Sequence, residues 1–243
     1  MKIINRNTLK LIAMITMVID HIAAYFLNPS SSIFYTFRFI GRISFPIICF
    51  LLVEGYFHTS NFKKYTFRLA LFALISEIVH NLIINNSIIF LDSQNVLFTL
   101  LIGLLVMNAC TYVKEKFKNR ILVIFPIIIG CILANYIRCE YDVTGIIYIA
   151  VLFIFKDQKI IRNIAFILIV PIMICYTYKL DITLFKETIS YVVTRRQFWS
   201  ILALLPINFY NGEKGRFALN KYIFYWFYPI HLFILYIIKI IIF

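Results

Sequence analysis

An aspartate and a histidine, Asp20 and His21, stand side by side within an apolar run that extends from residue 9 to residue 27. A charged side chain at the centre of a membrane helix costs about 2.5 to 3.5 kcal/mol on insertion scales, so chains keep one there mainly where it is paired or used. A histidine at that depth can take up a proton or briefly carry a transferred group. We therefore take Asp20 and His21 as candidate catalytic residues.

The next apolar run, residues 36 to 54, carries Arg38 and Arg42 one helical turn apart, just before Phe45-Pro46. Neighbouring residues on a helix point about 100° apart, so Asp20 is poorly placed to orient His21. Arg42 is the best candidate partner for Asp20 and could stabilise a developing oxyanion, while Arg38 could help to bind substrate. Two structural alternatives stay open: an Asp20–Arg42 clamp beside a packed histidine, and an Arg38 that reaches towards the membrane surface.

Two further sets of polar residues lie within apolar runs. Glu77 and His80 share one face of the run from 66 to 84, and His231 follows Pro229 in the run from 222 to 242. Such residues could line a cavity and contact substrate, or form hydrogen bonds between helices. A glutamate and a histidine three residues apart also occur in metal sites, but no second set of this kind is present, so we expect no metal.

Composition identifies the class of protein. The chain has 243 residues, of which 62% are hydrophobic and only 14% are charged, and apolar runs recur along its whole length. Runs of about 20 such residues predict membrane-spanning helices. We therefore expect an all-α, polytopic transmembrane helix bundle of about nine spans (eight to ten), forming a single domain over residues 1–243. The predicted spans are 9–27, 36–54, 66–84, 95–112, 120–137, 143–155, 160–176, 197–210 and 222–242.

The net charge of +13 comes from short basic clusters between the apolar runs. These clusters fall in alternate loops, which predicts a cytoplasmic N-terminus in a multi-pass cell-membrane protein and argues against nucleic acid as a partner. Residues 177 to 196 carry more basic residues than an outer loop should. That segment forms either an interfacial helix or a tenth crossing.

A short glycine-containing loop, residues 210 to 216, is placed inside by the same charge rule. Its amides and the side chains of Asn211, Lys214 and Arg216 could receive the phosphates of a cytoplasmic cofactor. The alternative is a turn whose charges only set topology. The loop has no P-loop pattern, so nucleotide hydrolysis is not expected.

Several of these residues belong to an ordered set of motifs that resembles the TraX family. The motifs are Leu9–Ala13 leading to Met17–His21, then Gly41–Pro46, then Glu54–Asn61 with Tyr65 and Arg68–Leu69, and finally Tyr210–Gly212, Lys221–Tyr222 and Phe227–Leu232. The resemblance covers nearly the whole chain and is weakest between residues 113 and 196.

The resemblance implies a membrane-embedded acetyltransferase that uses cytoplasmic acetyl-CoA and an exported acceptor, such as a pilin or peptide N-terminus or a glycan. Asp20, His21 and Arg42 would be catalytic, and Glu54 and His58 would join the substrate-binding residues. Lys63, Lys64 and Arg68 would contact CoA phosphates from an inner loop. Whether the acetyl group passes directly or through His21 stays open. A transporter or flippase with the same polar cavity, and an assembly scaffold, are the alternatives.

Overall fold

The structure is a computed structural model that describes residues 3–180, 185–215 and 221–242. Over these ranges the backbone is helical, and no β-strand forms beyond two isolated bridges. The α-helices are α1 (Arg6–Phe26), α2 (Ser32–Gly41), α3 (Ser44–His58), α4 (Phe62–Asn85), α5 (Val96–Phe117), α6 (Ile124–Ile137), α7 (Asp142–Ile154), α8 (Lys159–Tyr178), α9 (Phe185–Thr194), α10 (Leu204–Asn208) and α11 (Lys221–Ile242). Two 3₁₀ helices, Ile121–Val123 and Arg196–Ala203, lead into α6 and α10.

Six helical segments among the described residues are long and apolar enough to cross a membrane: α1, α2 with α3, α4, α5, α8 and α11. Two shorter apolar helices, Ile121–Ile137 and Asp142–Ile154, match the predicted fifth and sixth spans. The chain is therefore a multi-pass membrane protein, and the prediction of an all-α membrane protein is confirmed.

The predicted eighth span has a different form from the others. Residues 196 to 208 form a 3₁₀ helix followed by the five-residue helix α10, not one long α-helix. The segment from 177 to 196 contains the ten-residue helix α9. An α-helix of ten residues is only about 15 Å long, so α9 is too short for a tenth crossing.

Asparagine or serine side chains determine where four of the helices begin. Asn5, Ser31, Asn61 and Asn95 each accept a hydrogen bond from a backbone amide in the first turn of the helix that follows. Those amides have no partner within the helix, so the cap satisfies a donor that the helix itself leaves unpaired. These caps thereby set the residue at which each of α1, α2, α4 and α5 begins.

The chain packs into two compact units. The first comprises Met1–Leu51 and Phe155–Leu219, and the second comprises Leu52–Ile154 and Asn220–Phe243. In the first unit α1 packs on α2, and α8 packs on the 3₁₀ helix that precedes α10. In the second unit α4 packs on both α5 and α11, and α5 packs on α6 and α7. The single domain expected from composition stays a prediction.

Candidate functional site

The carboxylate of Asp20 accepts hydrogen bonds from two arginines at the end of α2. Arg38 Nη1 lies 2.6 Å from Asp20 Oδ2, and Arg42 Nη2 donates to the same oxygen. The side chains of Arg38, Arg42 and Asp20 are only 18%, 15% and 10% exposed. We call this group the Asp20 triad. The expected Asp20–Arg42 pair is present, whereas the interpretation of Arg38 as an arginine reaching the membrane surface is wrong, because Asp20 holds its guanidinium.

The triad carries one more positive than negative charge within a membrane helix pair. Counted on their own, two guanidinium groups and one carboxylate have a formal charge of +1 and contribute a positive field. Such a field stabilises a negative charge that develops nearby, as on the carbonyl oxygen of an acyl group under attack. The triad is therefore suited to acyl transfer as well as to holding two helices together.

Gly41 allows α1 and α2 to approach closely at the triad. A Cβ added at Gly41 would overlap the side chain of Asp20. Asp20 lies on the buried face of α1, together with Leu9, Ala13, Thr16 and Ala23. Small residues permit this kind of close helix contact in membranes. The Gly41-Arg42 sequence thus combines the space for Asp20 with one of its two cationic partners.

The α-helix is interrupted directly after Gly41. Arg42 is the C-cap of α2, and α3 begins at Ser44, two residues ahead of Pro46. Ser44 Oγ donates to the Ala13 carbonyl oxygen of α1 at 2.8 Å. Proline is tolerated in the first turn of a helix because an amide there has no intrahelical partner. The interruption between α2 and α3 therefore falls at Arg42–Ile43.

His21 projects from a different side of α1 than Asp20. Its ring is partly buried and packs against Tyr25, with the ring centroids 5.8 Å apart. Because adjacent helical residues diverge by about 100°, Asp20 can bind α2 while His21 points elsewhere. The catalytic role of His21 stays a prediction.

Glu77 and His80 form a second buried polar group, in the other unit, with Asn95 from the start of α5. Glu77 Oε2 accepts from the backbone amide of Asn95 at 3.0 Å and from its Nδ2 at 2.5 Å. Asn95 is fully buried, and its Nδ2 also donates to the Ala73 carbonyl oxygen at 2.9 Å. Within the described part of the chain, Glu77 Oε1 and His80 Nδ1 make no hydrogen bond. Two polar atoms here are thus available for water or a ligand.

Replacement of Asn95 by alanine should destabilise the protein by about 2 to 4 kcal/mol. The change removes the Nδ2 donor that Glu77 Oε2 and the Ala73 carbonyl oxygen share, together with the N-cap of α5, whereas the backbone amide that also donates to Glu77 is kept. Unfolding in mild detergent, followed against temperature or denaturant, measures the loss. Asn119→Ala is the matched control, since Asn119 Oδ1 accepts from the Ile121 amide at an exposed position, and it should cost less than about 1 kcal/mol. Equal stability of both variants would contradict the assigned role of Asn95.

Three other predicted substrate-binding residues have local partners in the second unit. His58 Nδ1 lies 2.7 Å from the Glu54 carbonyl oxygen and 3.9 Å from Glu54 Oε2, and Glu54 is buried. His231 Nδ1 lies 2.7 Å from the Phe227 carbonyl oxygen, and its ring stacks on Phe227. These contacts fit structural roles, and substrate binding by Glu54, His58 and His231 stays a prediction.

Three of the predicted cofactor-binding residues meet at one cavity. Lys63, Lys64 and Arg68, all from the first two turns of α4, line a cavity of about 430 Å³ together with Phe67 and Tyr222. Three cations beside the N-terminus of a 24-residue helix are groups that attract phosphate, and phosphate binding by them stays a prediction. The two aromatic rings add faces on which a base can stack. We call it the basic aromatic cavity.

The remaining predicted cofactor residues belong to the other unit. Asn211 donates its amide to the Ile4 carbonyl oxygen at 2.9 Å, and its side chain contacts Glu213. Lys214 is exposed. Arg216 lies outside the described residues. The loop is therefore tied to the N-terminal segment, and its phosphate-binding role stays a prediction.

Sequence reasoning missed a buried arginine at the start of α8. Arg162 is 3% exposed, and its Nη2 donates to Asn208 Oδ1 at 2.8 Å. Its guanidinium also lies 5.5 Å from the centroid of the Phe50 ring. In the basic cluster of Lys156, Lys159 and Arg162, the sequence predicts only a charge that sets topology. The sequence feature that could have indicated burial is the position of Arg162 inside an apolar stretch, after Lys159.

Among the described residues, the structure gives little support to metal binding or to Cys139 as a nucleophile. No group of three or more His, Cys, Asp or Glu side chains is arranged there to hold a metal ion. Burial raises the pKa of the Cys139 thiol to about 11, so at neutral pH Cys139 is a protonated thiol and not a nucleophile.

Comparisons with known proteins agree with the motifs. The family model described as "TraX protein" matches residues 5–239. The chain is 31% identical over 231 residues to a protein of Dichelobacter nodosus described as "Probable fimbrial assembly protein FimC, serogroup H1", covering 92% of this chain and 91% of that relative. No solved structure matches the chain. The chain belongs to the TraX family of bacterial multi-pass membrane proteins.

Proposed function

We propose that the protein is a membrane-embedded acetyltransferase that moves an acetyl group from cytoplasmic acetyl-CoA to an amine or hydroxyl of an exported acceptor. The observation that carries the proposal is the basic aromatic cavity, because Lys63, Lys64 and Arg68 meet Phe67 and Tyr222 there. Coenzyme A presents phosphates and an adenine ring, and these groups need cations and flat apolar faces. Membership of the TraX family points the same way.

In the proposed reaction the acceptor nitrogen or oxygen attacks the thioester carbonyl carbon. A new bond to that carbon forms, and the carbon–sulfur bond breaks to release CoA. His21 takes the proton that the acceptor loses and returns it to the departing thiolate. The positive field of the Asp20 triad stabilises the oxyanion that forms on the way. Glu54, His58, Glu77, His80 and His231 are proposed to contact the acceptor, with Arg38 held in the triad.

We propose that the acceptor is a subunit of a surface fibre, a secreted peptide or a surface glycan. The relative from Dichelobacter nodosus is described as a probable fimbrial assembly protein, which favours a fimbrial subunit. Mass spectrometry of surface peptides and glycans from cells with and without the protein, searching for the mass of one acetyl group, identifies the acceptor.

We also propose nine crossings with the N-terminus in the cytoplasm. The eighth crossing is the segment from 196 to 208, which runs antiparallel to α8. Phe198 lines a cavity with Pro171 and Ile172, whereas Asn208 contacts Arg162 near the start of α8. Eight residues of 3₁₀ helix and five of α-helix give about 24 Å, close to the hydrocarbon thickness of about 30 Å.

Contacts of the N-terminal segment support the same topology. The amide of Ile3 donates to the Phe209 carbonyl oxygen at 3.0 Å, and the amide of Arg6 donates to the Glu213 carbonyl oxygen at 2.8 Å. Residues 3 to 6 and residues 209 to 213 therefore share one side of the membrane. An even number of crossings must separate them, and eight satisfies this.

Turnover of acetyl-CoA tests the proposed function. Purified protein mixed with acetyl-CoA and an acceptor peptide should release free CoA thiol and yield acetylated peptide. The double variant Lys63→Ala/Lys64→Ala should raise the KM for acetyl-CoA by about tenfold or more, with kcat little changed, because charge-assisted phosphate contacts contribute to binding of the donor.

Lys114→Ala/Lys116→Ala is the matched control, since it removes the same charge from the exposed end of α5. It should leave KM unchanged. An equal rise in KM for both double variants would argue for a general charge effect and against a donor site at the cavity. A transporter or flippase would release no CoA under any of these conditions.

A further inference from the structure

A second cavity lies in the other unit, at the C-terminal end of α8. It has a volume of about 780 Å³, which falls within the range of about 300 to 1,000 Å³ typical of ligand pockets. Its walls come from α8, from α9 and from the 3₁₀ helix that follows α9. The lining includes Pro171, Ile172, Cys175, Val192, Val193 and Phe198. We call it the α8–α9 groove.

The lining of the groove is mostly aliphatic and aromatic, with Thr188 as a polar member. Lys179 and Tyr176 also line it, and both are exposed. Lys179 is the C-cap of α8, one residue beyond the end of a membrane-spanning helix. A cation at that position lies at the level of lipid headgroups.

Further basic and aromatic side chains surround the same end. The Arg195 guanidinium lies 4.5 Å from the centroid of the Tyr178 ring and 3.5 Å from that of Tyr191. Tyrosines at helix ends are typical of the membrane interface, where one part of the ring is apolar and the hydroxyl is hydrated. A mostly apolar lining combined with Lys179 at the level of the headgroups suits an anionic amphiphile.

We propose that the α8–α9 groove binds a single anionic phospholipid. One acyl chain lies against the apolar lining between α8 and α9, and the phosphate of the headgroup contacts Lys179. The lipid supports the packing of the short helix α9, which has few neighbours other than α8 and the 3₁₀ helix. This site is separate from the residues assigned to acetyl transfer and does not depend on that function.

Native mass spectrometry of the full-length protein tests the proposal. Delipidated protein is titrated with phosphatidylglycerol, and with phosphatidylcholine as the zwitterionic comparison. Wild-type protein should retain one phosphatidylglycerol at a concentration that leaves phosphatidylcholine unbound. Cys175→Trp, which fills the groove, should abolish that binding. Lys179→Glu should weaken it by about tenfold, because a charge-assisted phosphate contact is replaced by repulsion.

Ile167→Trp is the matched control, since Ile167 is an exposed residue of α8 that does not line the groove. It should bind phosphatidylglycerol as the wild type does. Lys179→Glu alters only an exposed side chain, so it keeps the test valid if Cys175→Trp fails to fold. Unchanged binding in Lys179→Glu, no preference for the anionic lipid, or displacement of bound lipid by an apolar peptide alone would overturn the proposal.

Discussion

Asp20→Ala should destabilise the protein by about 3 to 5 kcal/mol. The substitution leaves the guanidinium groups of Arg38 and Arg42 without the carboxylate that both contact. Removing one partner from a buried ion pair is costly because the remaining charge has lost its compensation in a medium of low dielectric constant. The fraction of monodisperse protein after heating in mild detergent measures the loss. Acetyl transfer should fall as well, since the arginines lose their fixed positions.

Asp92→Ala provides the matched control for this experiment. Asp92 also pairs with an arginine, Arg138, but their side chains are 65% and 61% exposed. Water screens exposed ion pairs, so this change should cost less than about 1 kcal/mol. If Asp20→Ala and Asp92→Ala proved equally stable, the Asp20 triad would not be a buried ion group, and its contribution to an oxyanion site would fail too.

His21→Ala should lower kcat for acetyl transfer by about 10² to 10⁴-fold, the range that general acid–base catalysis supplies. Stability should change by about 1 kcal/mol or less, because the imidazole is only partly buried and packs mainly on Tyr25. The rate of CoA release under saturating acetyl-CoA and acceptor is the measurement. KM for acetyl-CoA should stay near its wild-type value.

Two companion measurements separate proton transfer from packing. His21→Gln keeps a polar side chain of similar size but cannot accept a proton, so it should lose as much rate as His21→Ala. Added imidazole should restore part of the rate of His21→Ala by replacing the missing base. Full transfer activity in a well-folded His21→Ala protein would remove His21 from the mechanism.

The sequence was sufficient to predict the helical membrane class and the Asp20–Arg42 pair, but not the participation of Arg38. A charge in an apolar run needs a partner, and Arg38 and Arg42 share a helix face in the next run. The spacing could not show that Asp20 contacts both arginines, because that depends on how close α1 and α2 approach. Gly41 determines this distance, and one sequence does not reveal which neighbour a glycine accommodates.

Most of the contacts that the sequence did not predict join residues that lie far apart in the chain. Asn95 was a weak signal until α5 was placed beside α4, where it binds Glu77. Arg162 had the pattern of a loop charge until Asn208 was found next to it. The sequence does not distinguish the 3₁₀ helix from Arg196 to Ala203 from an α-helix, and the structure shows this helix packed on α8.

Positions 20 and 41 are sterically coupled, because the side chain of Asp20 occupies the space that a Cβ at position 41 would need. Since a Cβ at position 41 would overlap both the Cβ and the carboxylate of Asp20, a residue larger than glycine at position 41 requires a change at position 20. A library that varies position 41 must therefore randomise both codons together, for example by pairing a larger residue at 41 with glycine at 20. A chimera that exchanges α1 without α2 can place overlapping side chains at positions 20 and 41. The two helices should therefore be exchanged together.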